Sequence, residues 1–356
     1  GQPVTIGSLD AAWQGLSPVL ELKEVTVRTP YLADGRPAVQ EVHLALDVVA
    51  SLYTQRWQTA GVRIIGVELD IHTDLRSAER QFDLEAVSGW LATQQSISLE
   101  QFKIQWRDAG LFEAPLRLNQ LSAQLRNSGR RHQLLIKADL PPAMGTTISL
   151  AADLSGPGTS IADWKGRLYL NTEQLDLAIF QPAFRDATVA ASGVVNMELW
   201  TGLESGRLAW GNGALTWLQP VVRNTSDDAQ AASADSLTSG FQWRRQEQGW
   251  RMAIQDFEVD RDGLGVWPPS EVRLQVDDSE SPHIRGEASL LVLEEIAAVL
   301  PLIPWIDDNA LAMLDRLQPE GTLHDAAFEL KLRQRELPRF AMRSGVADLS
   351  LAANGG

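Results

Sequence analysis

Between Ile97 and Gly156 apolar and polar residues alternate with a period of two, in pieces separated by turn formers. Phe102, Ile104 and Trp106 fall on one side, and Lys103, Gln105 and Arg107 on the other. Leu116 and Leu118 are followed, after a one-residue slip, by Leu121, Ala123 and Leu125. Leu134, Ile136, Ala138 and Leu140 repeat the pattern, as do Ile148, Leu150, Ala152 and Leu154. Asp108-Ala109-Gly110, Asn127-Ser128-Gly129 and Pro141-Pro142-Ala143-Met144-Gly145 separate the pieces. This alternation predicts antiparallel strands joined in sequence, with one apolar face and one wet face.

The rest of the chain extends the pattern. Leu20 and Leu22 give way to Val25 and Val27 in the opposite phase, so Glu24 reads as a bulge. Asp34-Gly35 reads as a hairpin. Val42, Leu44, Leu46 and Val48 form a strand, Ser51 to Trp57 one helical turn, and Ile65, Val67, Leu69 and Ile71 another strand. Leu84, Val87, Trp90 and Leu91 share a helical face, predicting a short helix near 84–94. Asn171 with Gln174 three residues on resembles a helix cap, predicting a helix near 171–184 that Pro182 limits.

Val195, Met197 and Leu199 resume the strand period, and Gly211-Asn212-Gly213 reads as a hairpin. Residues 224–236 lack any period and read as a mobile loop. Strands are expected at 241–243, 250–254, 257–259, 272–276 and 284–290, with turns at Asp262-Gly263 and Pro268-Pro269. Residues 293–317 read as a helical insertion broken by Pro301, before further strands near Phe328, Phe340 and Leu349. The organisation expected is a β segment over 1–170, a second over 171–291, and the insertion with the start of further strands over 292–356.

Composition narrows the function classes. The chain has 356 residues, 44% of them hydrophobic, and a formal net charge of −15. That charge repels nucleic acid. With no cysteine, disulfides, thiolate metal sites and thiol nucleophiles are excluded together. The most apolar region, 296–306, is too short to span a bilayer and holds Pro301 and Pro304. The turn-rich end at Asn354-Gly355-Gly356 suggests a soluble piece of something longer.

Catalytic and metal signatures are missing. His43, His72, His132, His283 and His324 show no metal-ligand spacing, and His324 reads as a turn residue after Gly321. Gly202-Leu203-Glu204-Ser205-Gly206 has the wrong spacing for a nucleophile elbow. Gly156-Pro157-Gly158-Thr159-Ser160 lacks the lysine of a phosphate loop. Both read as turns. We expect no catalytic residue, no metal and no cofactor. Trp106, Trp243 and Trp250 share phase with apolar neighbours, whereas Trp13 and Trp164 sit at turns.

One set of residues carries a resemblance. Ile6-Gly7, then Trp13-x-Gly15-Leu16-x-Pro18-x-Leu20-x-Leu22, resembles the start of the YhdP-like branch of the AsmA superfamily, which also holds TamB and YdbH relatives. Trp90-Leu91-x-x-Gln94, Trp106-Arg107-Asp108, Asn127-x-Gly129-x-x-His132 and Trp164-x-Gly166-x-Leu168-Tyr169 follow in the same order, and Ala297–Leu317 with Pro319-x-Gly321 is similar too. The resemblance implies a long antiparallel twisted sheet folded over into an open apolar groove, with short helices over its ends and edges. It also implies a periplasmic location, an inner-membrane helix before the segment, and the outer membrane or its proteins beyond it. Phospholipid acyl chains would be the cargo.

Alternation alone allows a two-layer sandwich as well as a groove; the resemblance selects the groove. The lining expected from strand phase is Val42, Leu44 and Leu46, then Val67 and Leu69, then Phe102, Ile104 and Trp106. Leu134 and Ile136, Ile148 and Leu150, and Val195, Met197 and Leu199 complete it. The alternative is an envelope scaffold or outer-membrane protein assembly factor that binds clients by β-augmentation. A polysaccharide-active enzyme would instead need two convergent carboxylates beside exposed tryptophans.

Overall fold

A computed structural model describes residues 4–14, 17–27, 39–55, 57–72, 94–108, 110–157, 163–184, 187–225, 231–261, 265–277, 283–302, 308–331 and 339–351. The chain is mainly β, as expected, and divides into two compact units. One holds residues 1–175 and 200–207, the other 176–199 and 208–356.

The first unit carries β1 (Val4–Thr5), β2 (Ser8–Gln14), β3 (Ser17–Val27), β4 (Val39–Leu46), β5 (Thr59–His72) and β6 (Ser96–Arg107). It continues with β7 (Leu116–Ser128), β8 (Arg131–Asp139), β9 (Thr147–Ser155) and β10 (Lys165–Asp176). From β2 to β10 each strand pairs with the next in sequence. The pairs are antiparallel except β5–β6, which is parallel and corrects the expectation of an all-antiparallel run. A parallel neighbour needs a crossover of about a dozen residues or more. Residues 73–93 supply that length; the helix expected near 84–94 and the hairpin at Asp34-Gly35 fall outside the described residues.

On the wet face of β5 and β6, ion pairs join Arg63 to Glu100, Lys103 to Glu68 and Arg107 to Asp70. Arg63 donates to both Glu100 oxygens at 2.9 and 2.6 Å and holds that carboxyl below its ordinary pKa. Arg131 does the same to Asp153 across β8–β9. A depressed carboxylate pKa contributes stability above the unfolded-state value and loses it as pH falls through the folded one. Both pairs are solvent-screened, so acid weakens the wet face only modestly.

The slips seen in the sequence are left-handed residues inside strands. Glu24, Gln101 and Gln120 have φ of 53°, 56° and 59°, and Gly66 has 66°. Glu24 lies level with Gln40, Gln40 with Gly66, and Gly66 with Gln101, by the register of β3 through β6. Between β6 and β7 the register shifts at Gln101 and again at Gln120. At Gln101 and Gln120 the extra residue bends its strand and raises its twist, whereas Glu24 and Gly66 change the backbone without a register shift. Set level on neighbouring strands, these residues form a crease across the ladder. They also switch the side-chain phase, so Leu20 and Leu22 before the crease and Val25 after it can serve one face. The strand expected through Ile65, Val67, Leu69 and Ile71 is corrected by the same effect. Ile65 pairs with Glu41 and Glu100, whereas Val62 and Ile64 are the apolar-face residues before Gly66.

The second unit carries most of β11 (Val189–Glu204) and β12 (Arg207–Asn224), with β13 (Ala231–Ser233), β14 (Ser236–Arg245) and β15 (Trp250–Arg261). β16 (Gly265–Asp277), β17 (His283–Val292), β18 (Pro319–Lys331) and β19 (Arg339–Leu351) follow. β12 pairs with β13 and β14, and β14 through β19 pair in order, all antiparallel. Asp256, Asp325 and Asp348 are left-handed here, at φ of 49°, 49° and 52°, each at a register shift.

Several local expectations change. Gly211-Asn212-Gly213 is not a hairpin but lies inside β12. Trp243 lies across Gly211 and Phe241 across Gly213, so these glycines give room to aromatic rings on β14. The tight turn is instead Ser205-Gly206, with φ of 50° and 70°. Within the stretch read as a loop, 231–233 pairs with Val221–Arg223. Pro268-Pro269 lies inside β16 next to a register shift, where a strand tolerates proline. Asn171 caps no helix: it pairs with Ser149, β10 runs to Asp176, and a 3-10 helix follows over Leu177–Phe184. Asp176 accepts the Ala178 N–H at 2.8 Å there. His324 is a strand residue paired with Leu290 and Gly345.

Helical structure occurs as expected at Leu293–Val299 and Asp308–Leu317, with a 3-10 turn at Leu300–Leu302. The turn expected over 51–57 starts earlier, at Val48–Thr54, where the Asp47 carboxylate accepts the Ala50 N–H, so Val48 opens a helix and does not continue the strand. Leu293 packs on the small cluster of Ala288, Leu323 and Ala326. Glu294 accepts the Gly321 N–H at 3.0 Å and Glu295 pairs with Arg261 at 3.1 Å, fixing that helix to β18 and β15.

Phe328 covers Gly286 as Trp243 covers Gly211. Gly286→Ala is expected to lower stability by about 1–3 kcal/mol through overpacking. Gly345→Ala, whose new methyl meets only His324 at 3.5 Å, should be close to neutral. Chemical denaturation of the pair checks this; equal effects would show that the ring over Gly286 yields freely.

Candidate functional site

The register of the first unit assembles one apolar face from many strands. Directly paired residues share a side of the sheet. One row reads Leu9, Leu22, Val42, Ile64, Leu99, Ala123, Ile136, Leu150 and Leu170 from β2 to β10. The next reads Ala11, Leu20, Leu44, Val62, Ile97, Leu125, Leu134, Ala152 and Leu168. Beyond the crease, Leu69 pairs with Ile104 and Ile104 with Leu118, while Ile71 pairs with Trp106 and Trp106 with Leu116. No polar residue interrupts the first two rows.

The lining expected from strand phase falls on this face for β4 through β9. Val42, Leu44, Leu134, Ile136 and Leu150 are members of the two rows, and Phe102, paired with Leu121, extends the face past the crease. Val67 opposes Val39 there. Leu46 reaches Thr59 at the end of β4, and Ile148 lies between Ala138 and Thr172. Val195, Met197 and Leu199 occupy alternate positions of β11 in the second unit. Val67, Phe102 and Val195 are buried, and the other expected lining residues are half-buried. Among the described residues no large side chain is completely buried.

Leu20, Leu22, Val62, Ile64, Ile97, Leu99 and leucines of β7 and β10 lie on the same apolar face but are not among the residues expected from strand phase. Their alternation was visible, but only the register shows that they continue the same rows. On the opposite face Leu135 is 52% exposed and lies among Gln124, Gln133 and Asp153. In the second unit, Trp243, Met252, Leu274, Gly286, Phe328 and Met342 form a comparable row across β14 to β19.

Three of the motifs that carried the resemblance, at 106–108, 127–132 and Trp164, prove to be clasps at strand ends. Trp106 meets Phe112 edge-on at 5.1 Å, and Arg107 pairs with Asp70 at 2.9 Å. Buried Asp108 accepts the Gly110 N–H through its carboxylate, and its carbonyl accepts from Leu111 and Phe112. Asn127 donates to the Gln94 carbonyl at 2.6 Å and presents its oxygen to His132 Nδ1 at 2.8 Å. His132 is 2% exposed, stacks on Trp164 at 4.6 Å, and faces the Gly156 carbonyl at 3.3 Å. Trp164 thus clamps a neighbouring strand end, and its indole donates to the Pro157 carbonyl. Among the described residues no cluster of histidines and carboxylates could hold a metal. None of their helices is long and apolar enough to cross a membrane.

A β-sheet chain with a continuous apolar face and terminal clasps at these motifs belongs to the YhdP family, whose model, described as YhdP protein, matches residues 1–356. A curated relative is the intermembrane phospholipid transporter YhdP of Escherichia coli (strain K12), 24% identical over 360 residues. The match covers 96% of this chain and 27% of that protein, so the chain spans about a quarter of its relative's length. No solved structure matches the chain.

Proposed function

We propose that this chain is a periplasmic segment of an intermembrane phospholipid carrier, and that acyl chains lie along its apolar face in a groove formed where the sheet folds over. The uninterrupted rows from Leu9 to Leu170 and from Ala11 to Leu168 carry the reading. Their eight strand steps of about 4.8 Å give a run of roughly 40 Å. Moving an acyl chain of about 16 carbons into water loses roughly 12 kcal/mol at about 0.8 kcal/mol per CH₂. An apolar face one strand wide offsets part of that, and a continuous row lets the chain advance without meeting a polar barrier. The function needs no catalytic residue. In the longer protein an N-terminal inner-membrane helix would anchor one end and the outer membrane would receive lipid at the other.

Native mass spectrometry of the purified chain is expected to show co-purified phospholipid that exchanges with added lipid. Lipid-free protein that takes up none from vesicles would overturn the reading. The scaffold reading is favoured by one observation: β2 pairs only with β3 among the described residues, and its Leu9 and Trp13 are 61% and 74% exposed. Capture of a client strand at β2 with no bound lipid would support it instead.

A further inference from the structure

We propose that the polar face of the second unit holds a binding site for a phosphate-type oxyanion, built from Arg244, Arg251, Arg273 and Arg285. These residues sit on consecutive strands, β14 to β17. Arg244 lies directly opposite Arg251, Arg251 opposite Gln275, and Gln275 opposite Arg285. Arg273 occupies the adjacent row, between Ala253 and Glu287. Together they rim a concavity of about 590 Å³ on the side of the sheet opposite the Trp243–Met252–Leu274 row. The small side chain of Ala253 leaves its floor low. That volume is in the range of about 300–1,000 Å³ typical of small-ligand sites.

Charge placement is the second observation. Like charges directly opposite on neighbouring strands are destabilising. Arg244 and Arg251 make such a pair, and among the described residues neither guanidinium has a hydrogen-bond or ion-pair partner. Arg273 pairs at 2.6 Å with Glu271 and Arg285 at 3.5 Å with Glu329, both side chains remaining largely exposed. Glu287 is the one carboxylate lining the cavity. A chain of net charge −15 therefore concentrates four guanidinium groups at one concave place, two of them, Arg244 and Arg251, without an ion-pair partner among the described residues. An oxyanion bridging Arg244 and Arg251 relieves the repulsion between them, and the planar fork of each arginine matches a phosphate edge. The strand spacing of about 4.8 Å sets the guanidinium groups within reach of a single phosphate, or of two phosphates joined by a short linker.

Inorganic phosphate, pyrophosphate and the soluble diester glycerophosphoglycerol, titrated calorimetrically into the whole chain, identify the source. Saturable binding of the inorganic anions alone assigns a free phosphate, and preference for the diester assigns a lipid headgroup. Either result supports the site. The double variant Arg244→Gln/Arg251→Gln should bind at least tenfold more weakly. Arg126→Gln/Arg167→Gln, with the same charge change on the first unit, should bind as the parent does. No binding of any probe in low salt overturns the proposal, as does an equal loss in both double variants. Circular dichroism on the variants separates a lost site from a lost fold.

Discussion

Ile136→Asp combined with Leu150→Asp is expected to abolish retention of phospholipid while leaving the sheet intact. The two residues are direct partners on β8 and β9, inside the first apolar row. Both are half-buried, so each carboxylate keeps access to water and the fold need not collapse. An acyl chain crossing them loses contact for about four CH₂ groups, or roughly 3 kcal/mol, which is a drop in affinity of about 100-fold. The control is Leu135→Asp, one residue away on the exposed opposite face, which should leave lipid binding unchanged. Lipid content by mass spectrometry, beside far-ultraviolet circular dichroism, reads both outcomes. Equal lipid loss in the control would remove the distinction between faces on which the proposed function depends.

Gln101→Gly should stabilise the chain, against the usual behaviour of glycine in a strand. Glycine inside a strand ordinarily costs about 0.5–1 kcal/mol. At Gln101, where φ is 56°, the left-handed backbone already costs a side chain about 1–2 kcal/mol, and glycine removes that strain. Gln101→Val should do the reverse and destabilise by about 2 kcal/mol or more, since a β-branched residue fits this conformation worst. Gln105, in the same strand without a positive φ, should show ordinary signs: valine tolerated, glycine destabilising. Denaturant midpoints for the four variants test the inversion. The same sign at both positions would mean that the crease is not held by left-handed residues.

The sequence made the strands legible wherever apolar and polar residues alternate cleanly. The slip between Leu118 and Leu121 even located the bulge, because the phase visibly changes there. Ile64-Ile65 hid the same event, since two apolar neighbours fit either phase and only the φ of Gly66 decides between them. Gly211 and Gly213 misled for another reason. A glycine that makes a turn and a glycine that makes room look alike locally, and the rings that need the room, Trp243 and Phe241, lie far along the chain. At Asn171 the capping spacing was outweighed by a strand partner, Ser149. The apolar character of the site was readable residue by residue. Its continuity was not, because rows such as Val42–Ile64–Leu99 depend on registers between distant strands, and β5–β6 is parallel. The arginine group on β14 to β17 was unreadable for the same cause: Arg244 and Arg251 are seven positions apart, but Arg285 joins them only through the pairing of β16 with β17.

The ladder from β2 to β10 has a thermodynamic consequence. Each strand there pairs with its sequence neighbours, and the contacts among its described residues run mainly between adjacent strands. Its free energy is then close to a sum of nearest-neighbour terms, as in a one-dimensional Ising chain. Cooperativity decays along such a lattice. A lesion at β8 weakens β7 and β9 more than β3, and fraying starts from β2, which among the described residues pairs only with β3. Amide protection would rise inward from that strand in steps, so no single unfolding free energy characterises the unit.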